Sequence, residues 1–213
     1  MNRKGFWLGL VVLLSGVVAA YVFVVRPWHM HWGATPQEVA LVLPGDAYIA
    51  PDDVTSTRAL TIHAPASTVW AWLVQAGQNR GGAWYTYEWL ENLFAAEMHP
   101  IARISPELQS LQVGDELYFH AGGATNPAMV ATVLGLQKER ALWLTGGWSF
   151  ALQPLDANST RLLVRYPMKP DALLNPFLSH AIFEPAHFVM ESGMMLGIKA
   201  HAERDPQLTM GGI

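Results

Sequence analysis

Apolar and polar positions divide the chain into unlike parts. Residues 6–25 are an uncharged, mostly apolar run of 20 residues, long enough as a helix to cross a bilayer core of about 30 Å. Pro27, Pro36, Pro44 and Pro51 then punctuate residues 27–54, which read as a connector. Within it Thr35-Pro36-Gln37-Glu38 is a capping box that predicts a short helix to about Leu41. In residues 57–62 Leu60 and Ile62 share one face, as in a strand. Val69, Trp70, Leu73, Val74 and Gly77 recur at helical spacing behind Pro65. A second helix is predicted over residues 86–94. Mostly strand follows: residues 116–120, 129–136, 141–145 and 148–152. In the last strand Thr160, Leu162, Val164 and Tyr166 alternate with Arg161, Leu163 and Arg165. A long helix over residues 185–204 carries a stripe of Ala186, Val189, Met190, Gly193, Met194, Gly197 and Ala200.

This order predicts an α+β fold. An antiparallel sheet buries one face, and the last helix is the long amphipathic element left to cover it. A sheet that curls around that helix leaves a cavity between them. Four segments follow: an anchor over 1–26, the connector over 27–54, one domain over 55–204, and a tail over 205–213.

The apolar run has two readings. A cleaved signal peptide has an apolar region of about 7–15 residues ending in a small-x-small site. Here the run is longer, and Val18-Ala19-Ala20 leads into the bulky residues 21–25, which favours a retained single-pass anchor. Arg3 and Lys4 precede it. Arg26 is the one Lys or Arg after it until Arg58. The positive-inside bias therefore puts the N-terminus in the cytoplasm and the domain outside. Beyond residue 26 the chain has 10 Lys and Arg against 17 Asp and Glu, a net charge of −7. An acidic domain with no basic patch argues against nucleic acid as a partner and against electrostatic docking on anionic lipid. The chain has no cysteine, so its redox compartment is open.

Residues 81–94 hold five aromatic residues in fourteen, with Glu88, Glu91 and Asn92 among them. Such a segment suits a cavity wall. Tyr85, Tyr87 and Trp89 are candidate ligand contacts. The alternative is that they pack their helix onto the sheet. Met190 and Met194 offer an adaptable surface for a ligand, or fill ordinary gaps. His99 follows Glu88, Glu91 and Glu97, and a His–Glu pair there is a candidate general acid or base. The plainer reading is a loop histidine among exposed carboxylates. His29-x-His31 has no third ligand at a familiar spacing, so Trp28 and Trp32 beside it read as an interfacial aromatic belt and no metal is expected. Arg161 and Arg165 share a strand face that either holds a ligand carboxylate or faces solvent. No G-x-S-x-G, H-E-x-x-H or P-loop is present, and no cofactor is expected.

Ile62-His63-Ala64-Pro65-Ala66-Ser67-Thr68-Val69-Trp70-Ala71-Trp72-Leu73 resembles the opening strand and helix of SRPBCC proteins, the superfamily of START domains, Bet v 1-like proteins and polyketide cyclases. Residues 81–94, Ala141-Leu142-Trp143-Leu144, residues 160–165 and Phe188-Val189-Met190-Glu191 look like an uncharacterised membrane-anchored branch of it. The resemblance covers about residues 55–204. It implies the helix-grip fold and a hydrophobic cavity, but no particular reaction. The expected function is a membrane-anchored binding protein for a small lipid-like or aromatic molecule. The alternatives are a cyclase- or hydrolase-like enzyme using His99 or a nearby carboxylate, and a scaffold module of a membrane complex.

Overall fold

A computed structural model of the chain describes residues 3–75, 77–80, 103–119, 130–169 and 175–204, apart from the Gln78 side chain. The N-terminal run forms one continuous helix, α1 (Arg3–Met30), which widens into a π-helical turn at Tyr21–Val25. No residue of Arg3–Ala20 is buried. It is long and apolar enough to cross a membrane by length and composition. The capping box forms as its sequence predicts: Thr35 and Glu38 exchange side-chain-to-backbone bonds at the start of α2 (Pro36–Val39).

The sheet has six strands: β1 (Val54–Ile62), β2 (Glu116–Tyr118), β3 (Val130–Gln137), β4 (Ala141–Leu144), β5 (Ser149–Asp156) and β6 (Ser159–Met168). Their spatial order is β1-β6-β5-β4-β3-β2, with every neighbouring pair antiparallel. β1 and β6 pair from Val54 opposite Met168 to Ile62 opposite Thr160. That register puts Leu60, Ile62, Leu162 and Val164 on one face. There they meet α3 (Ala66–Leu73) and α4 (Glu184–Ala202) in the main core. The architecture is α+β and consistent with the helix-grip arrangement expected from the sequence.

The C-terminal half of α4 packs into this core. Ile198, Met195, Leu73, Leu162 and Phe150 have no exposed surface, and Trp72 stacks on His201 with ring centroids 4.5 Å apart. Each such side chain contributes about 1.5–3 kcal/mol by burial.

The apolar stripe of α4 faces the sheet only in part. Gly193, Met194 and Gly197 are buried, whereas Ala186, Val189, Met190 and Ala200 are exposed. The buried face instead runs through Glu184, Glu191, Met194, Met195, Ile198 and Ala202. The reason is electrostatic. Arg58 points inward from β1 and is fully buried, and a buried guanidinium requires a carboxylate opposite it. Presenting Glu191 turns Met190 outward.

The segment between α1 and β1 lies on the other face of the sheet. Leu43 packs against Ala59, Ala151 and Leu163 in a second small core. The Ala59 amide donates to the Trp32 carbonyl at 3.1 Å. Gly33 adopts φ +71°, and a Cβ there would overlap the Ala59 carbonyl oxygen. Pro36 and Pro44 in this segment each open a short helical turn, and the segment stays bound to the domain.

Candidate functional site

A charged cluster sits inside the otherwise apolar grip. Arg58 shares the inward face of β1 with Leu60 and Ile62, by simple alternation along the strand. Glu191 lies one turn before Met194 and Met195 on α4. The Arg58 Nη1 donates to the Glu191 carboxylate, and both residues are buried. The Arg58 Nε donates to the His29 carbonyl at 2.8 Å. Its Nη1 also lies 3.4 Å from the His187 Nδ1, and its guanidinium is 5.3 Å from the centre of the Phe188 ring, within cation–π range. Among the described residues, Arg58 Nη2 is buried without a hydrogen-bond partner.

Rings surround the pair at the end of the sheet where β6 finishes and β5 begins. His187 stacks on Tyr166 at 3.9 Å. Tyr166 meets Trp148 edge-on at 5.4 Å, and Trp148 lies 5.2 Å from Phe119. Tyr166 faces inward because it keeps step with Val164 and Leu162 along β6.

Burial shifts the protonation of Glu191, His187 and Tyr166. It pushes the Glu191 carboxyl up, opposed by Arg58 and by the Trp148 indole. Burial, then the Arg58 charge, holds His187 down at about 3, so its imidazole is neutral at pH 7. Burial, then the Glu191 charge, raises the Tyr166 phenol, which keeps its proton. Each shift disfavours the charged form in a low dielectric. The cluster therefore combines one guanidinium, one carboxyl with a raised pKa, a neutral imidazole and a phenol against an aromatic wall. Such groups hydrogen-bond the polar end of a mostly apolar molecule.

Tyr85, Tyr87, Trp89, Glu88, Glu91, Glu97 and His99 fall outside the described residues. Met194 is buried in the core, 6% exposed, while Met190 is 49% exposed. Arg161 and Arg165 point to the outer face, where the segment before β1 engages them. Arg161 pairs with Glu38 at 2.7 Å. Arg165 pairs with Asp46 at 2.6 Å and donates to the Leu41 and Val39 carbonyls. Both arginines are structural clamps. His29 is buried beside Phe188, and His31 is exposed. Among the described residues no three His, Cys, Asp or Glu side chains are grouped to hold a metal.

Sequence reasoning passed over Arg58, His187 and Glu191, though a signal existed. An arginine two residues before Leu60 on an alternating strand has to point inward. Glu191, three residues before Met194, shares that residue's side of the helix.

No protein-family model matches the chain, and no curated protein does. Solved structures similar to it include a conserved protein of unknown function from Enterococcus faecalis, 13% identical over 73% of this chain and 75% of that one, with a TM-score of 0.43. A protein from Nitrosomonas europaea is 15% identical over 72% of this chain and 96% of its own, at TM-score 0.41. A polyketide-cyclase-like protein from Corynebacterium glutamicum is 15% identical over 72% and 92%, at TM-score 0.33. Similarity at this level carries nothing about ligand or reaction. The helix-grip assignment stands on the strand order and the position of α4.

Proposed function

We propose that this protein is a membrane-anchored binding protein for a small, largely apolar molecule, lipid-like or aromatic. The polar end of the ligand meets Arg58 and Glu191, and its apolar part lies against the rings of Tyr166, Trp148 and Phe119 beside them. The observation that carries the reading is the buried Arg58–Glu191 pair in its aromatic surround, with Arg58 Nη2 left without a hydrogen-bond partner among the described residues. A buried ion pair is poor value as a stabilising device, because well-packed apolar residues of similar volume serve as well or better. An open polar atom in an aromatic surround is what recognition of a polar group needs. In this reading α1 is the anchor, and the excess of Arg3 and Lys4 over Arg26 supports an orientation with the domain outside the cytoplasm.

Native mass spectrometry of the full chain in mild detergent tests the proposal, combined with displacement of a fluorescent fatty-acid or naphthalene probe. The wild type is expected to carry a small apolar molecule or to take up the probe. The Arg58→Met/Glu191→Met variant, folded by circular dichroism, is expected to lose it. A wild type that carries nothing and takes up neither probe defeats the reading.

A further inference from the structure

The long helix does not begin at the domain. Two turns, Pro176–Leu178 and Ser179–Phe183, lead into α4 and run beside α1. The Tyr21 hydroxyl donates to the His180 carbonyl. Arg26 holds Glu184 through two bonds of 2.7 and 2.8 Å. Trp28 meets Phe188 with ring centroids 5.3 Å apart. These pairs ascend together in both segments, so the helices lie parallel and nearly in step. Both widen into π-helical turns at the same level, Tyr21–Val25 beside Ser179–Phe183.

This register fixes a depth. Glu184 is level with Arg26, the residue that closes the apolar run. Pro176 lies eight residues further back, which at 1.5 Å per residue is about 12 Å toward the apolar side of Arg26. Residues 172–183 contain no Lys, Arg, Asp or Glu. Phe177 is 72% and Ile182 55% exposed, and they extend the exposed apolar surface of α1, where Phe23 is 78% exposed. The first turn is also prepared for a dry setting. Pro176 has no amide hydrogen, Leu178 donates to the Asn175 side chain, and Ser179 donates to the Asn175 carbonyl. Few backbone donors are left open, as a bilayer requires. His180, the one titratable side chain in the two turns, bonds to Glu184 at 2.6 Å.

We infer that residues 176–183 are a second membrane-embedded element, a short foot that enters the apolar part of the bilayer beside α1. Its partner is the acyl region of the lipid rather than anionic headgroups, since the foot carries no Lys or Arg. The inference rests on α1 being a membrane span. It adds that the domain is held in a fixed pose, with the ringed end of the grip turned toward the lipid.

The chain has no cysteine, so one introduced thiol carries one spin label. The full chain is reconstituted in vesicles of neutral phosphatidylcholine as Phe177→Cys, Ile182→Cys, Phe23→Cys or Leu155→Cys. Phe23 reports the span. Leu155, exposed on β5 near the hairpin away from α1, reports water. Labels at 177 and 182 are expected to behave as at 23, relaxed by oxygen and with loss of relaxation by a water-soluble nickel complex. Nickel relaxation at 177 and 182 equal to that at 155, with 23 still shielded, overturns the foot and leaves the anchor standing. Nickel relaxation at 23 as well overturns both.

Discussion

At the scale of single residues, the Arg58–Glu191 pair is where energy and function meet. Taking away one partner leaves a buried charge alone, which costs about 3–5 kcal/mol. Arg58→Met and Glu191→Leu are each expected to show that loss in urea denaturation. The double variant is expected to recover most of it, and a double-mutant cycle reads the coupling. His187 predicts a pH effect of definite sign. Its folded pKa lies below its unfolded value, so the folded state resists a proton that the unfolded chain accepts. Stability is therefore unaffected above about 6.5 and falls as pH drops from there toward about 3. Between pH 6.5 and 5, His187→Phe is expected to flatten the melting temperature against pH, with ring stacking on Tyr166 kept. Glu38 acts lower. Its hydrogen bond with Arg161 holds it at about 2. It thus stabilises above its ordinary pKa near 4.5, and that stability is lost as pH falls toward 2. Partial solvation limits the contribution to about 1 kcal/mol.

At the scale of elements, the segment between α1 and β1 is held by backbone fit as much as by charge. Gly33→Ala meets both a positive φ and the Ala59 carbonyl, and neither can yield without breaking the Ala59–Trp32 bond. The expected loss is about 2 kcal/mol or more, read by thermal denaturation, with the largest change in hydrogen exchange over residues 33–46. The strands were legible element by element, because alternation in β1 and β6 is decided by side-chain size along a pleat. The buried face of α4 was not. Its apolar stripe points to Val189 and Met190, whereas Arg58, far away in sequence, selects the side that carries Glu191. The same holds for Arg161 and Arg165. Their shared strand face was visible, but only the folded chain brings Glu38 and Asp46 across to meet them.

At the scale of the molecule, the first 54 residues do more than locate the domain. A chain starting at Arg26 keeps the Glu184 pair, the His29 carbonyl under Arg58 and the whole outer layer. One starting at Trp32 loses the first two. It is expected to fold but to melt below the longer chain by several degrees, as loss of about 1–2 kcal/mol does in a domain of this size. One starting at Thr55 leaves Arg161 and Arg165 without Glu38 and Asp46 and uncovers Ala59, Ala151 and Leu163. It is expected to aggregate on gel filtration.

The sequence alone determined what depends on local order. Charge-free length produced α1, side-chain alternation produced the strands, and the Thr35–Glu38 spacing produced a capped turn. It also determined the fold class, since one long helix after a run of strands leaves a single partner for the sheet. The tertiary structure decided whatever needs two distant residues in one place. It set Arg58 against Glu191, laid the proline-punctuated segment on the outer face, and aligned residues 176–183 with the end of α1. Each of these turns on desolvating a charge or a backbone group. The cost of desolvation depends on what folds over the group, and no window of the sequence contains that.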